Sequence, residues 1–170
     1  MADVNGEADV VEAVPEVVAP VVQFEPDPTT AFEMALTADL YVRRGVALDV
    51  ALDYSDASIA GAEEMGGRTY LEQCRDLARD ELKELQGTLV LELGAYIGET
   101  YIRNHGGDWG WATMPVGRAF GLRTSAGLTA FPLTKAKKRL LGDFGSLVAF
   151  YTLLVSWTGT GNPPDGPSAR

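Results

Sequence analysis

Cysteine and histidine are almost missing from this chain: Cys74 and His105 stand alone among 170 residues. One cysteine excludes an intrachain disulfide, which suits a reducing cytosol. One histidine excludes a multi-histidine metal centre, although a carboxylate-rich site stays open. His105 follows a predicted helix C-terminus, where the dipole favours a protonated imidazole, and it reads as structural or solvent-facing. Cys74 falls on the apolar face of a predicted helix with no histidine near it in sequence, so it reads as an inert thiol.

Lys and Arg are absent from residues 1–30, which hold Asp3, Glu7, Asp9, Glu12, Glu16, Glu25 and Asp27. The formal net charge of −10 therefore divides into −7 for this segment and −3 for the remainder. The body is close to balance, and the acidity does not point to a basic partner. Long hydrophobic runs are absent too. The longest near the C-terminus, residues 146–157, is too short for a bilayer and reads as a core helix. The N-terminus lacks a basic n-region, and Glu and Pro interrupt its apolar residues, so no secretory signal is expected. A cytoplasmic chain without a membrane partner is the expectation. Neither GxGxxG after a strand nor a GxxxxGK loop occurs, so no nucleotide cofactor is indicated, and no other cofactor is. No internal repeat is visible.

What is present suffices for one domain. Residues 1–28 form a Val/Pro-rich acidic tail, punctuated by Pro15, Pro20, Pro26 and Pro28. One-sign charge and few aromatics favour disorder. The valines keep a second reading open: Val17, Val18, Val21, Val22 and Phe24 could dock in extended form along a groove or sheet edge of a partner. A helix is expected from Thr29 or Thr30 to about residue 44, ended by Gly45. A short strand or extended segment is expected over 46–54, then a short helix capped by Ser55 or Asp56, to about residue 65, closed by Gly66 and Gly67. Residues 68–86 read as an amphipathic helix with Leu71, Cys74, Ala78, Leu82 and Leu85 on one face, and Gly87–Thr88 as a break. Residues 89–104 are apolar nearly all round, which predicts a helix inside the fold. Gly94 and Gly98 share one face of it, and two glycines there predict a neighbour packed against the backbone.

After a His-Gly-Gly-Asp turn, residues 109–114, 118–123 and 127–133 predict three short strands in an antiparallel meander. One or two helical turns over 134–141 and a last helix over 143–157, capped by Asp143, complete the body. Residues 158–170 read as a flexible end. The fold class is α+β: helices packed on a small antiparallel sheet of three or four strands, over 29–157, with a disordered or extended acidic tail.

Candidate functional residues are few. Glu92 and Glu99 lie two turns apart on the apolar helix and share a side. Burial could raise one pKa for acid/base work, with Tyr96 and Asp108 as helpers. The plainer reading is that each acid satisfies a basic or backbone group, Arg103 being four after Glu99. Trp109 and Trp111 face the same way on a strand, as core or as an aromatic patch for a partner. Lys135, Lys137, Lys138 and Arg139 form the basic cluster. Without interleaved aromatics it makes a weak nucleic-acid footprint, and no nucleic-acid partner is expected. A solvated face is the plainer reading, and the acidic tail could also fold back onto it.

Three segments, LDYSDASIAGAEE, LGAYIGETYIRNHGGDW and FPLTKAKKRLLGDFGSLVAFY, resemble a group of uncharacterised bacterial domains. These share LDYS, LGxYxGE, GGxW and PFxKxxKRL motifs before a final helix. The matching positions are Leu52, Asp53, Tyr54, Ser55, Leu93, Gly94, Tyr96, Gly98, Glu99, Gly106, Gly107, Trp109, Pro132, Lys135, Lys138, Arg139 and Leu140. The resemblance implies a small bacterial cytoplasmic domain. It leans toward protein binding, because similar domains occur among toxin-immunity and stress-associated proteins. The expected function is a non-enzymatic protein-binding domain: an adaptor, an immunity-type inhibitor or an assembly subunit, with a protein partner and possible homo-oligomerisation. The candidate contacts are the tail valines, Phe24, Trp109, Trp111, Lys135, Lys138 and Arg139. The alternative is a hydrolase or metal-dependent enzyme built on Glu92 and Glu99.

Overall fold

Asp27 starts the helical part of the chain. Its side chain accepts hydrogen bonds from the Thr30 N–H (3.1 Å) and hydroxyl (2.8 Å), and Pro28 occupies the first helical position. The first helix, α1 (Pro28–Ala47), is therefore capped by Asp27 rather than by a threonine. This computed structural model describes residues 17–18, 23–142 and 145–158.

The strand expected over 46–54 does not form. The N–H groups of Leu48 and Val50 both donate to the Gly45 carbonyl, and Asp49 and Tyr54 have φ of 57° and 60°. Positive φ takes the chain out of the extended region, so the segment is an irregular connector. The next two expected helices are divided differently. Helix α2 (Ser58–Gln73) runs through Gly66 and Gly67, and the chain breaks at residues 74–78 instead. Gly66 is an interior contact: a Cβ there would lie 3.0 Å from the Tyr41 hydroxyl and 3.1 Å from Leu93. Leu71, expected on the buried face of one long helix, is 70% exposed.

Helix α3 (Arg79–His105) carries the fold. The Glu81 carboxylate accepts from the Ala78 N–H at its start, and Gly106 (φ 77°) ends it. Its 27 residues span about 40 Å and pass uninterrupted through Gly87 and Thr88. Residues 92–101 are all buried, as their all-round apolar character predicts. Gly94 and Gly98 receive neighbours as expected, the backbone of Leu133 and the ring of Trp109.

The meander follows as β3 (Gly107–Met114), β4 (Gly117–Thr124) and β5 (Thr129–Ala130). Pro132 starts α4 (Pro132–Leu141), which trims the third strand. The last helix, α5 (Leu147–Thr158), buries Leu147, Phe150, Tyr151 and Leu154 on one face. Its expected cap, Asp143, lies outside the described residues, and the Ser146 hydroxyl accepts from the Ala149 N–H. Strand β2 (Gln23–Pro26) pairs with β3, which makes a four-stranded antiparallel sheet. The two-residue β1 (Val17–Val18) adds to the β5 edge, giving the order β1-β5-β4-β3-β2. The whole is an α+β fold.

That order forces curvature. Val18 and Gln23 sit at opposite edges yet are five residues apart, a reach of about 17 Å. A flat five-stranded sheet would separate them by about 19 Å. The sheet therefore curls. Gly110 and Gly121 pair in register at the bend, and a Cβ on either would meet backbone and a phenylalanine ring, Phe24 on one and Phe131 on the other. These rings close a small second cluster with Ala112, Met114 and Ala119 on one face of the sheet. The opposite face, with Trp109, Leu122 and Ala130, joins the main core around α3.

Candidate functional site

The two carboxylates of the apolar helix are both engaged. Glu92 accepts two hydrogen bonds from the Arg44 guanidinium of α1, at 2.8 and 3.0 Å. Glu99 accepts from the Trp109 indole N–H (2.8 Å) and pairs with Arg103 at 3.3 Å. The bond from Glu92 raises the Arg44 pKa, so that guanidinium stays charged. Each acid thus has a basic or N–H partner from another turn or element. Asp108 is at the start of β3, and Tyr96 belongs to a different network.

That network seats the connector 49–57 on α3. The Ser58 hydroxyl donates to the Ser55 carbonyl, so the 2.6 Å contact between Ser58 Oγ and the Tyr96 hydroxyl has Tyr96 as donor. The Tyr96 oxygen in turn accepts from the Tyr54 N–H (3.1 Å), while Asn104 donates to the Tyr54 carbonyl (2.7 Å). Both backbone groups of Tyr54 are held, which maintains its positive φ. Its hydroxyl donates to Asp39 at 2.6 Å, and the Arg103 guanidinium lies 3.6 Å over its ring. Burial, then the bond to Asp39, raise the Tyr54 pKa. Beside it Asp56 accepts from the Tyr151 hydroxyl (2.5 Å) and lies 3.1 Å from His105 Nε2. Burial, with Asp56 next, pushes the Tyr151 hydroxyl well up. The adjoining cleft, about 150 Å³, is smaller than the ~300 Å³ at which ligand pockets begin. The network acts as a brace tying α1, α3 and α5 to the connector. It unites Tyr54, Ser55 and Tyr96 and, by way of Glu99, also Trp109 and Gly98. Sequence reasoning did not place Asp39, Asp56, Asn104 or Tyr151 in a shared network, since their partners lie 15 to 95 residues away.

The expected contact residues divide into three groups. Trp109 is 2% exposed and stacks on Phe120 (5.4 Å, 7°), so it is core and not a surface patch. Trp111 is half-buried, donates to the Asp27 carboxylate (3.1 Å) and carries Arg118 over its ring, which ties the start of α1 to the sheet. That bond and those from Thr30 lower the Asp27 pKa, the Thr30 N–H first. In the tail, Val17, Val18 and Phe24 take positions in the chain's own sheet, while Val21 and Val22 lie outside the described residues. The basic cluster is not one solvated face. Lys135 is 5% exposed, and Arg139 donates to Glu63 of α2 at 2.8 Å. Lys138 is half-buried and shares with Lys135 and Val17 the wall of a groove of about 540 Å³ between α4 and α5.

One surface was not anticipated. Phe32, Leu36 and Leu40 of α1 are 66%, 52% and 49% exposed. They recur every four residues and form a ridge on the side away from Met34, Ala38, Tyr41 and Gly45, which are buried. The signal was legible in the sequence: α1 carries two apolar faces, and a helix at the edge of a fold buries only one.

Among the described residues no group of three or more His, Cys, Asp or Glu could hold a metal ion, and no helix is long and apolar enough to cross a membrane. No family model, curated protein or solved structure matches this chain.

Proposed function

We propose that the chain is a non-enzymatic protein-binding module, acting as an adaptor, an immunity-type inhibitor or an assembly subunit, whose contact surface is the outer face of α1. The exposed ridge Phe32–Leu36–Leu40 carries this reading. Single exposed apolar side chains are ordinary on a protein surface. Three in register on one helix match the anchor spacing by which a helix lies in an apolar groove. The helix is held at both ends, by the Asp27 cap and Trp111 at one and by the Arg44–Glu92 pair at the other. Little ordering cost would then fall on binding.

The ridge spans about 12 Å, and two such ridges face to face bury far less than the ~800 Å² per partner of a stable interface. The fitting partner is therefore a protein with an apolar groove that wraps α1, not a second copy of this chain. Exposed Glu33, Asp39 and Arg43 on the flanks give it a rim of both signs. The test uses the full chain as bait beside Leu36→Glu/Leu40→Glu, with circular dichroism to verify the fold. A partner bound directly by the wild type and at least 100-fold more weakly by the variant supports the reading. Equal binding by both, or self-association of the pure chain that the variant abolishes, sinks it. The enzyme reading would draw on Glu92 and Glu99, whose carboxylates are both occupied.

A further inference from the structure

We propose that residues 74–78 are a hinge through which the chain exchanges its N-terminal half with a second copy, α2 and α3 joining as one helix in a domain-swapped dimer. The local sequence gives no reason for an elbow there. Residues 74–78 read Cys-Arg-Asp-Leu-Ala, with no glycine or proline, and none has a positive φ. Cys74 keeps helical angles after the last turn of α2 (φ −77°, ψ −15°), and Ala78 is extended (φ −63°, ψ 157°). The Ala78 side chain cannot cap α3, and its N–H meets the Glu81 carboxylate in an exposed contact at 3.2 Å. The elbow is also loosely packed. No residue from 71 to 88 is buried, and a cleft of about 500 Å³ opens there with Leu77 and Leu85 in its wall.

The row Leu71, Cys74, Ala78, Leu82 and Leu85 points to a second copy as the partner. The elbow splits this row between two helices and leaves Leu71 70% exposed. In a continuous helix over 58–105, about 72 Å long, the five share one face. Their spacing is symmetric about Ala78, with Cys74 and Leu82 four residues to either side and Leu71 and Leu85 seven. Two such helices crossing antiparallel at Ala78 set Leu71 against Leu85 of the other copy and Cys74 against its Leu82. The small Ala78 then lies at the two-fold axis, as an isologous contact requires the same patch on both copies. The row alone is too small for a stable dimer, and the exchange supplies the rest of the interface. Strand β2 lies on β3, Asp27 holds Trp111, Arg44 pairs with Glu92 and Glu63 with Arg139. Each of these contacts crosses the hinge and is remade between copies. Exchange therefore gives up only the contacts of the elbow itself, which makes it a low-cost route to a dimer.

The full chain, refolded from urea at high and at low concentration and sized by chromatography with light scattering, tests this. High concentration should give a dimer and low concentration the monomer. Arg79→Pro should cut the dimer at least tenfold and leave the circular dichroism of the monomer unchanged. Proline suits the first position of α3 and favours an extended residue before it, as Ala78 already is, but it breaks a continuous helix. Arg44→Glu and Glu92→Arg supply a second test. Alone, each variant sets like charges against one another in the monomer. Refolded together they should form a heterodimer, resolved by native mass spectrometry, in which both lobes regain an opposite-charge pair. Its urea midpoint should exceed that of either variant alone. Refolding to monomer at every concentration, a dimer indifferent to Arg79→Pro, or a mixture of the two charge variants that yields no heterodimer would each overturn the proposal.

Discussion

The same substitution at two glycines of α3 should change stability in opposite directions. Gly87 lies in the helix interior, exposed, with nothing within 4 Å of the place a Cβ would take. Alanine there gains helix propensity and restricts the unfolded chain, so Gly87→Ala should stabilise by about 0.4–1 kcal/mol. At Gly98 a Cβ would lie 2.2 and 2.3 Å from Cζ2 and Cη2 of Trp109. That ring has nowhere to go. It is buried, stacked on Phe120, and its N–H is fixed on Glu99 at 2.8 Å. Overpacking of this kind costs about 1–3 kcal/mol, and direct backbone-to-ring contact belongs at the upper end. After the propensity gain, Gly98→Ala should lose about 2 kcal/mol. Urea unfolding followed by far-ultraviolet circular dichroism measures both. The two variants should then differ by about 3 kcal/mol, roughly a hundredfold in the unfolding equilibrium. Trp109→Phe removes the two clashing atoms, so Gly98→Ala should cost less in that background than in the wild type. If Gly98→Ala proves as favourable as Gly87→Ala, or Trp109→Phe brings no relief, then the sheet does not approach the α3 backbone as closely as the Gly98–Trp109 contact requires.

Two further outcomes follow from the ion pairs. Arg44→Met strands a buried Glu92 and should cost about 3 kcal/mol, whereas Glu92→Leu leaves the more exposed Arg44 free to reach water and should cost about 1 kcal/mol. The double variant should be more stable than Arg44→Met alone, and an additive cycle would deny the coupling. Burial raises the Glu63 pKa, but Arg139, the N–H groups of Val148 and Leu147 and the Ser146 hydroxyl outweigh it, and the net shift is downward from 4.5. A lowered folded-state pKa gives stability that is present above 4.5 and lost as pH falls through the folded value. The stability gap between wild type and Glu63→Gln should therefore be full at neutral pH and close in acid, and a gap independent of pH would contradict the assignment.

The sequence was most legible where contacts are local or where composition leaves no alternative. Residues 89–104 are apolar nearly all round, and the burial of 92–101 followed, although Leu91 is 41% exposed. The glycine pair at 94 and 98 announced close neighbours, although not that one would be Trp109. The meander was readable because its strands are joined by short turns. The failures have a common physical origin. Leu71, Cys74, Ala78, Leu82 and Leu85 make a good helical period, but Glu81 caps a new helix at Ala78 and the period runs across the break. Gly66–Gly67 looked like a terminator because two glycines destabilise an isolated helix. In the folded chain Gly66 is where α2 approaches Tyr41 and Leu93, and tertiary packing overrides propensity.

The tail shows the same limit from the other side. Its charge and prolines favour disorder when the segment is considered alone, yet Gln23–Pro26 completes the sheet. What local composition cannot report is an edge left open elsewhere: β3 offers unpaired N–H and C=O groups along its length, and an adjacent extended segment satisfies them. Phe24 then supplies the apolar ring that the Gly110–Gly121 bend has room for. The docking reading expected a groove or sheet edge of a partner, whereas Val17, Val18 and Phe24 pair within the chain's own sheet. For the ridge on α1 the logic reverses. Phe32, Leu36 and Leu40 have the spacing of a buried face and are exposed only because Met34, Ala38 and Tyr41 took the core. A sequence can show that a helix has two apolar faces, but which of them remains outside is decided by what packs first against the other.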